Sequence, residues 1–239
     1  TLNNKPTAVV FGLSPTGLAV SRELNRFGWL VVGVASGFEC GCWSRSLTSV
    51  YYLGEPTETE FCRLINRIIH KFGYILPIIT SDVYYQYFLS DVLDYRKIYG
   101  YDILVRKAKF VSKQRLDEFD KFVFMPRLVI AEGPALEGFV KSLSFPYVIK
   151  PGLNYVARDI LGGKKLLFIT GRTDLEAAIQ KLASCQQSFV AQEYVPGPDS
   201  NIFVYVCFRN NLGQVSEEFC GRKITQYPES FGSASSIVS

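Results

Sequence analysis

Short apolar runs closed by glycine or a polar turn recur through the first hundred positions. Residues 7–12, Thr-Ala-Val-Val-Phe-Gly, read as a buried strand. Pro15 suits a first helical turn, and Val20, Leu24 and Phe27 follow at helical spacing before Gly28 stops the segment. Trp29 to Ala35 predicts a second buried strand, which completes a βαβ unit. Next, Thr57 with Glu60 three residues on forms a capping box. Behind it Phe61, Leu64, Ile65, Ile68, Ile69 and Phe72 share one helical face, and Gly73 ends the helix. Tyr74–Thr80 supplies another strand, and Ser81-Asp82 opens a further helix. This alternation predicts a parallel, doubly wound sheet over residues 5–105.

The rhythm changes from Lys113. The pattern predicts a helix over 113–121, a strand at 127–131, a helix at 134–143 and a strand ending in Lys150. A loop, a strand at 164–170 and a helix capped by Thr173 with Glu176 come next, then strands at 188–195, 201–209 and 214–223. Such a strand-rich run predicts an α+β second domain. The expected division is a Rossmann-like front domain over 1–108 and a second domain over 109–239. No internal repeat or low-complexity tract interrupts it.

Composition bounds the class. Of 239 residues, 48% are apolar and 20% charged, as in an ordinary globular protein. Lys+Arg 26 against Asp+Glu 22 leaves +4, too weak a bias to imply a nucleic-acid or membrane partner. No apolar stretch has transmembrane length, and the N-terminus lacks a signal pattern. Six Cys in a chain of this length do not suggest a disulfide scaffold, and Cys40-Gly-Cys42 has neither zinc spacing nor a second pair. His70, the single histidine, falls on a helix far from any nucleophile motif. A reduced, cytoplasmic protein is expected.

Two places suggest anion chemistry. Gly12-Leu-Ser-Pro-Thr-Gly17 lies between strand and helix, where a helix N-terminus attracts anions, but it has neither dinucleotide nor P-loop spacing. Thr80-Ser81-Asp82 should share its sheet edge. Lys150 ends an otherwise apolar strand and needs an anion there, unless it snorkels to solvent. The loop from Gly152 to Lys165, with its glycines, Arg158 and paired lysines, suits a flap over phosphates. Further on, Gln192-Glu193-Tyr194-Val195 follows an apolar strand, where backbone groups can read an adenine edge.

In order and spacing, Val-Ser-Lys113-Gln, Phe-Pro-Tyr-Val-Ile-Lys150-Pro, the glycine-containing loop and Val-Ala-Gln-Glu-Tyr-Val-Pro-Gly resemble the ATP-grasp superfamily. The match is nearest to uncharacterised ATP-grasp carboxylate–amine ligases, whose Gly-Arg-Lys-x-Arg-Gln-x-Pro segment is similar to residues 221–228 here, with Thr225 in place of Arg. The resemblance implies an α/β chain: a Rossmann-like parallel-sheet front domain followed by part of an α+β ATP-grasp domain. It implies that Lys113 and Lys150 contact ATP phosphates. It places Gln192, Glu193, Tyr194 and Val195 at the adenine, Asp199 near the ribose, and Arg222 and Lys223 at the triphosphate or an acyl phosphate. ATP and Mg²⁺ are the implied cofactors, with a small carboxylate and an amine as substrates. The metal ligands are not legible. The family places them after the Arg-Lys segment, where Glu229 is the only acid here. An incomplete chain that binds nucleotide poorly or incompletely, does not turn over alone, and is completed by a second copy or a second subunit is therefore expected. A non-catalytic nucleotide-binding or regulatory module is the alternative. A Rossmann oxidoreductase is disfavoured, since Ala35-Ser36-Gly37 offers no acidic ribose ligand.

Overall fold

The computed structural model describes residues 5–54, 56–89, 93, 95–102, 125–152, 160–210, 212–227 and 229–239. The chain divides into two compact units, Thr1–Lys113 and Gln114–Ser239.

The first unit is built on four parallel strands: β1 (Thr7–Phe11), β2 (Leu30–Ala35), β3 (Ser49–Tyr52) and β4 (Ile75–Ile79). Their order is β3-β2-β1-β4. All five β1 residues are buried, as expected of a strand covered on both faces. Pleat alternation divides them. Val9 and Phe11, with Val32 and Val34, pack on Phe61, Ile65 and Ile68 of helix α2 (Glu58–Phe72) and on Tyr84 and Phe88. Val10, Val31 and Ala35 face the other way, toward Leu13 and toward Val20 and Leu24 of helix α1 (Pro15–Arg26). The capping box on α2 is formed in both directions, and Gly73 ends the helix at φ 81°.

Two expectations change here, and one strand was not predicted. Phe27 is 73% exposed, because the chain leaves α1 at that residue before its ring can reach the core. The segment opened by Ser81-Asp82 is a 3₁₀ run, Asp82–Leu89, rather than an α-helix. Strand β3 gave no apolar signal beyond Val-Tyr-Tyr, too short to be read by periodicity.

The second unit contains two antiparallel sheets. One has the order β5-β8-β6-β7, from β5 (Leu128–Glu132), β6 (Tyr147–Pro151), β7 (Leu167–Ile169) and β8 (Ser188–Glu193). Tyr147, Ile149, Ile169, Phe189 and Ala191 bury one face against helices α3 (Leu136–Val140) and α4 (Arg172–Leu182). The other sheet has the order β11-β10-β9, from β9 (Phe203–Arg209), β10 (Val215–Tyr227) and β11 (Ser233–Val238). It is largely exposed, with Phe203, Tyr205 and Phe208 more than half open to solvent.

Boundaries shift where turn chemistry outweighs propensity. The predicted strand at 164–170 shrinks to three residues, because Gly162 and Gly163 turn with positive φ and a lysine pair follows. The cap of α4 is Gly171, with Thr173 inside the helix. Asp174 instead accepts from the Thr170 backbone N–H (2.9 Å) and hydroxyl. The helix expected at 134–143 is a 3₁₀ turn, Gly133–Ala135, running into the short α3. The helix expected over 113–121 lies outside the described residues. Among the described residues no helix is long and apolar enough to cross a membrane.

Candidate functional site

Pleating of β6 sends Tyr147 and Ile149 into the core and Val148 and Lys150 to the opposite face. On β8 the same alternation pairs Val190 with Lys150 and Gln192 with Val148. Lys150 and Gln192 are thus diagonal neighbours across the ladder, 42 residues apart in sequence, and the ammonium donates to Gln192 Oε1 at 3.1 Å. Burial holds the Lys150 ammonium below the usual lysine range. Among the described residues its one hydrogen-bond partner is a neutral amide, and an ammonium has three donors. Such a group gains most from an anion brought to it.

The linker after β8 is pinned by its backbone. Glu193 N–H donates to Arg127 carbonyl (2.9 Å) and Tyr194 N–H to Pro146 carbonyl (3.1 Å). Val195 is 68% exposed. Alternation turns Gln192 and Glu193 to opposite faces, so their side chains do not act together. The Tyr194 ring meets Phe168 edge-on, with centroids 5.0 Å apart, and lies 6.2 Å from Phe231. By register Phe168 shares the face of Val148 and Lys150. Neither phenylalanine stood out in the sequence, because nothing local marks two isolated rings as neighbours of the linker.

Asp199 and Lys223 also come together. Lys223 is buried, its ammonium 3.8 Å from Asp199 Oδ1 and bonded to Gln226 Oε1. Adjacent Arg222 is exposed, because neighbours on a strand point to opposite sides. Lys113, Arg158 and the flap's centre, residues 153–159, lie outside the described residues.

In the first unit, the glycines of the β1–α1 turn are required by close approach. Gly12 sits at φ 88°, and a Cβ on Gly17 would stand 1.9 Å from the Gly12 carbonyl oxygen. Thr80 Oγ1 donates to that oxygen at 2.7 Å, tying the end of β4 to the turn as the shared edge predicted. The decisive residue was missed from sequence. The Glu39 carboxylate accepts from the Leu13 N–H, the Ser36 N–H (3.0 Å) and the Ser36 hydroxyl (3.2 Å). This turn carries its own anion. Cys40 and Cys42 thiols donate to the Leu13 and Gly37 carbonyls, so they pack the same loop. Burial, with Glu39 nearby, pushes the Tyr84 phenol well above its ordinary range.

No family model matches the sequence, and no curated protein does either. Solved structures do match. An N5-carboxyaminoimidazole synthetase from Staphylococcus aureus, complexed with ADP, superposes with a TM-score of 0.67 at 14% identity, over 92% of this chain and 55% of that one. An L-amino acid ligase from Bacillus licheniformis gives 0.65 at 15% identity, over 97% and 53%. A carboxyaminoimidazole ribonucleotide synthase from Aspergillus clavatus, complexed with ATP, gives 0.65 at 10%, over 93% and 55%. Over the part of each that it covers, this chain shares their ATP-grasp fold. It spans about 55% of the length of the first of these proteins. Within the ATP-grasp fold, the Lys150–Gln192 pair and the pinned linker after β8 form the candidate nucleotide face of the second unit.

Proposed function

We propose that this chain binds ATP on the Lys150 face and belongs to a carboxylate–amine ligase. The observation that carries the reading is Lys150 itself: a half-buried ammonium with a neutral amide partner, beside a linker strand with a fixed backbone. A phosphate oxygen there would supply the counter-charge that Gln192 does not. Structures similar in fold are complexed with ADP or ATP, which supports the same ligand.

In the proposed reaction a carboxylate oxygen attacks the γ-phosphorus of ATP. The bridging P–O bond breaks, ADP leaves, and an acyl phosphate forms. An amine nitrogen then attacks the acyl carbon, the C–O bond to phosphate breaks, and phosphate departs as the nitrogen gives up a proton. The protein's work is positioning and charge stabilisation. Lys150 and Lys113 are assigned to ATP phosphates, Gln192 to Val195 to the adenine edge, and Asp199 to the ribose. Of Arg222 and Lys223, only one can face a given phosphate, since they occupy opposite sides of β10. Mg²⁺ accompanies ATP in such chemistry. Among the described residues no group of three or more His, Cys, Asp or Glu gathers as a metal site.

The edge of the first unit is assigned to the amine. Glu39 already places a carboxylate in the β1–α1 turn, and a second carboxylate there would be repelled.

Calorimetric titration with ATP and Mg²⁺ tests the nucleotide assignment. Lys150→Ala is expected to cost about 1.5–3 kcal/mol of binding, the scale of a hydrogen bond to a charged group. Equal affinity in the variant overturns it. With a panel of amino acids this chain alone is expected to form little ADP; robust ADP formation that Lys150→Ala abolishes would show that it turns over by itself.

A further inference from the structure

A cavity of about 660 Å³ lies at the β7 edge of the second unit's first sheet. Its wall is edge strand β7. Its floor is α4, where Ala177 and Ala178 leave space that larger side chains would fill. Phe168 and Phe231 close the apolar lining. Lys150 and Gln192 do not line it. The volume falls within the range of about 300–1,000 Å³ typical of small-molecule sites.

The charge around this space is one-sided. Among the described residues Lys164, Lys165 and Lys181 line it against a single carboxylate, Asp174, which is held by Thr170. Lys165 donates to the neutral Ser233 hydroxyl at 2.7 Å. Among the described residues neither Lys164 nor Lys181 forms an ion pair. The Lys181 ammonium reaches back toward Gly162, where an added Cβ would stand 3.7 Å away. The Gly162–Gly163 turn therefore brings the lysines of both segments to one rim.

We propose that this cavity binds a small amphipathic anion, with a hydrocarbon or aromatic body in the apolar space and a carboxylate or phosphate head at the lysine rim. A bare inorganic anion would leave the apolar lining unfilled. A neutral apolar molecule would leave the lysines without a counter-charge. The site borders the nucleotide face, sharing Phe168 and Phe231 with the surroundings of Tyr194, but its lysine rim and α4 floor do not include Lys150 or Gln192.

Calorimetry on the whole chain tests it, with sodium decanoate and dodecyl phosphate as probes of the two head groups and decan-1-ol as the uncharged counterpart. At least one anion is expected to bind saturably at a single site, about tenfold or more tighter than decan-1-ol. Exposed Lys181 changed to Glu is expected to weaken that anion by about tenfold, and Ala177→Trp to abolish binding by filling the floor. Saturating ATP with Mg²⁺ should leave the anion's affinity unchanged. Circular dichroism melting checks that the variants fold, and Lys181→Glu alone decides the matter if Ala177→Trp does not. Equal binding of anion and alcohol, wild-type affinity in Lys181→Glu, or competition by ATP would overturn the proposal.

Discussion

Lys150 carries a conflict that its neighbours do not resolve. Strand alternation places it half-buried beside Val148 and Val190, both buried, and burial depresses its pKa. The sign of the linkage follows. Between the lowered folded value and the ordinary one, the unfolded chain binds more protons, so stability rises with pH across that window. Below the folded value the full penalty applies. Lys150→Met is expected to raise the thermal midpoint of the nucleotide-free chain at neutral pH and to abolish this alkaline gain, measured by melting from pH 7 to about 10.5. The same variant should lose stabilisation by ATP. Glu39 shows the opposite arrangement, a carboxylate already satisfied by backbone donors where a dinucleotide phosphate would sit. NADH fluorescence titration is accordingly expected to show no saturable binding, and saturation would reopen the oxidoreductase reading. Lys150 was visible in the sequence as a charge ending an apolar run. Glu39 was not, because its partner Leu13 lies 26 residues away and only the fold joins them.

At the scale of elements, α2 is where local and tertiary signals agree. Its cap, its apolar face and its terminal glycine all specify the same helix, and the sheet then buries that face. Ile65→Ala should cost about 2–5 kcal/mol, the range for a large-to-small change in a packed core. Thr57→Ala should cost about 1 kcal/mol as a lost cap. Hydrogen bonds from Thr57 hold the Glu60 carboxyl below its ordinary value, so that its contribution is present at neutral pH and lost as pH falls through the folded value. Urea unfolding at pH 7 and about pH 3 measures all three. Strand β10 gives a second contrast. Lys223→Met is expected to destabilise the unit, since Asp199 and Gln226 lose a buried partner, whereas Arg222→Ala should leave the midpoint unchanged. Equal effects of the two would show that alternation does not separate them.

For the molecule as a whole, every described residue assigned to ATP lies in the second unit. Hydrogen exchange with saturating ATP and Mg²⁺ is expected to protect β6 and β8 and to leave β1 to β4 unchanged. Protection centred on β1 would move the nucleotide to the first unit. Periodicity and turn residues by themselves determined the parallel front sheet, its two helices and the strand-rich second half, because burial of one face imposes a repeat that a linear pattern can carry. They also marked Lys150 and the Gln192–Val195 linker. Only the tertiary structure decided that Lys150 meets Gln192, that Arg222 and Lys223 part company, that Glu39 fills the first turn and that Phe168 and Phe231 flank Tyr194. Those outcomes depend on strand register and on contacts between distant segments. A one-residue slip in register would send each such side chain to the other face, and no local pattern records which register packing selects.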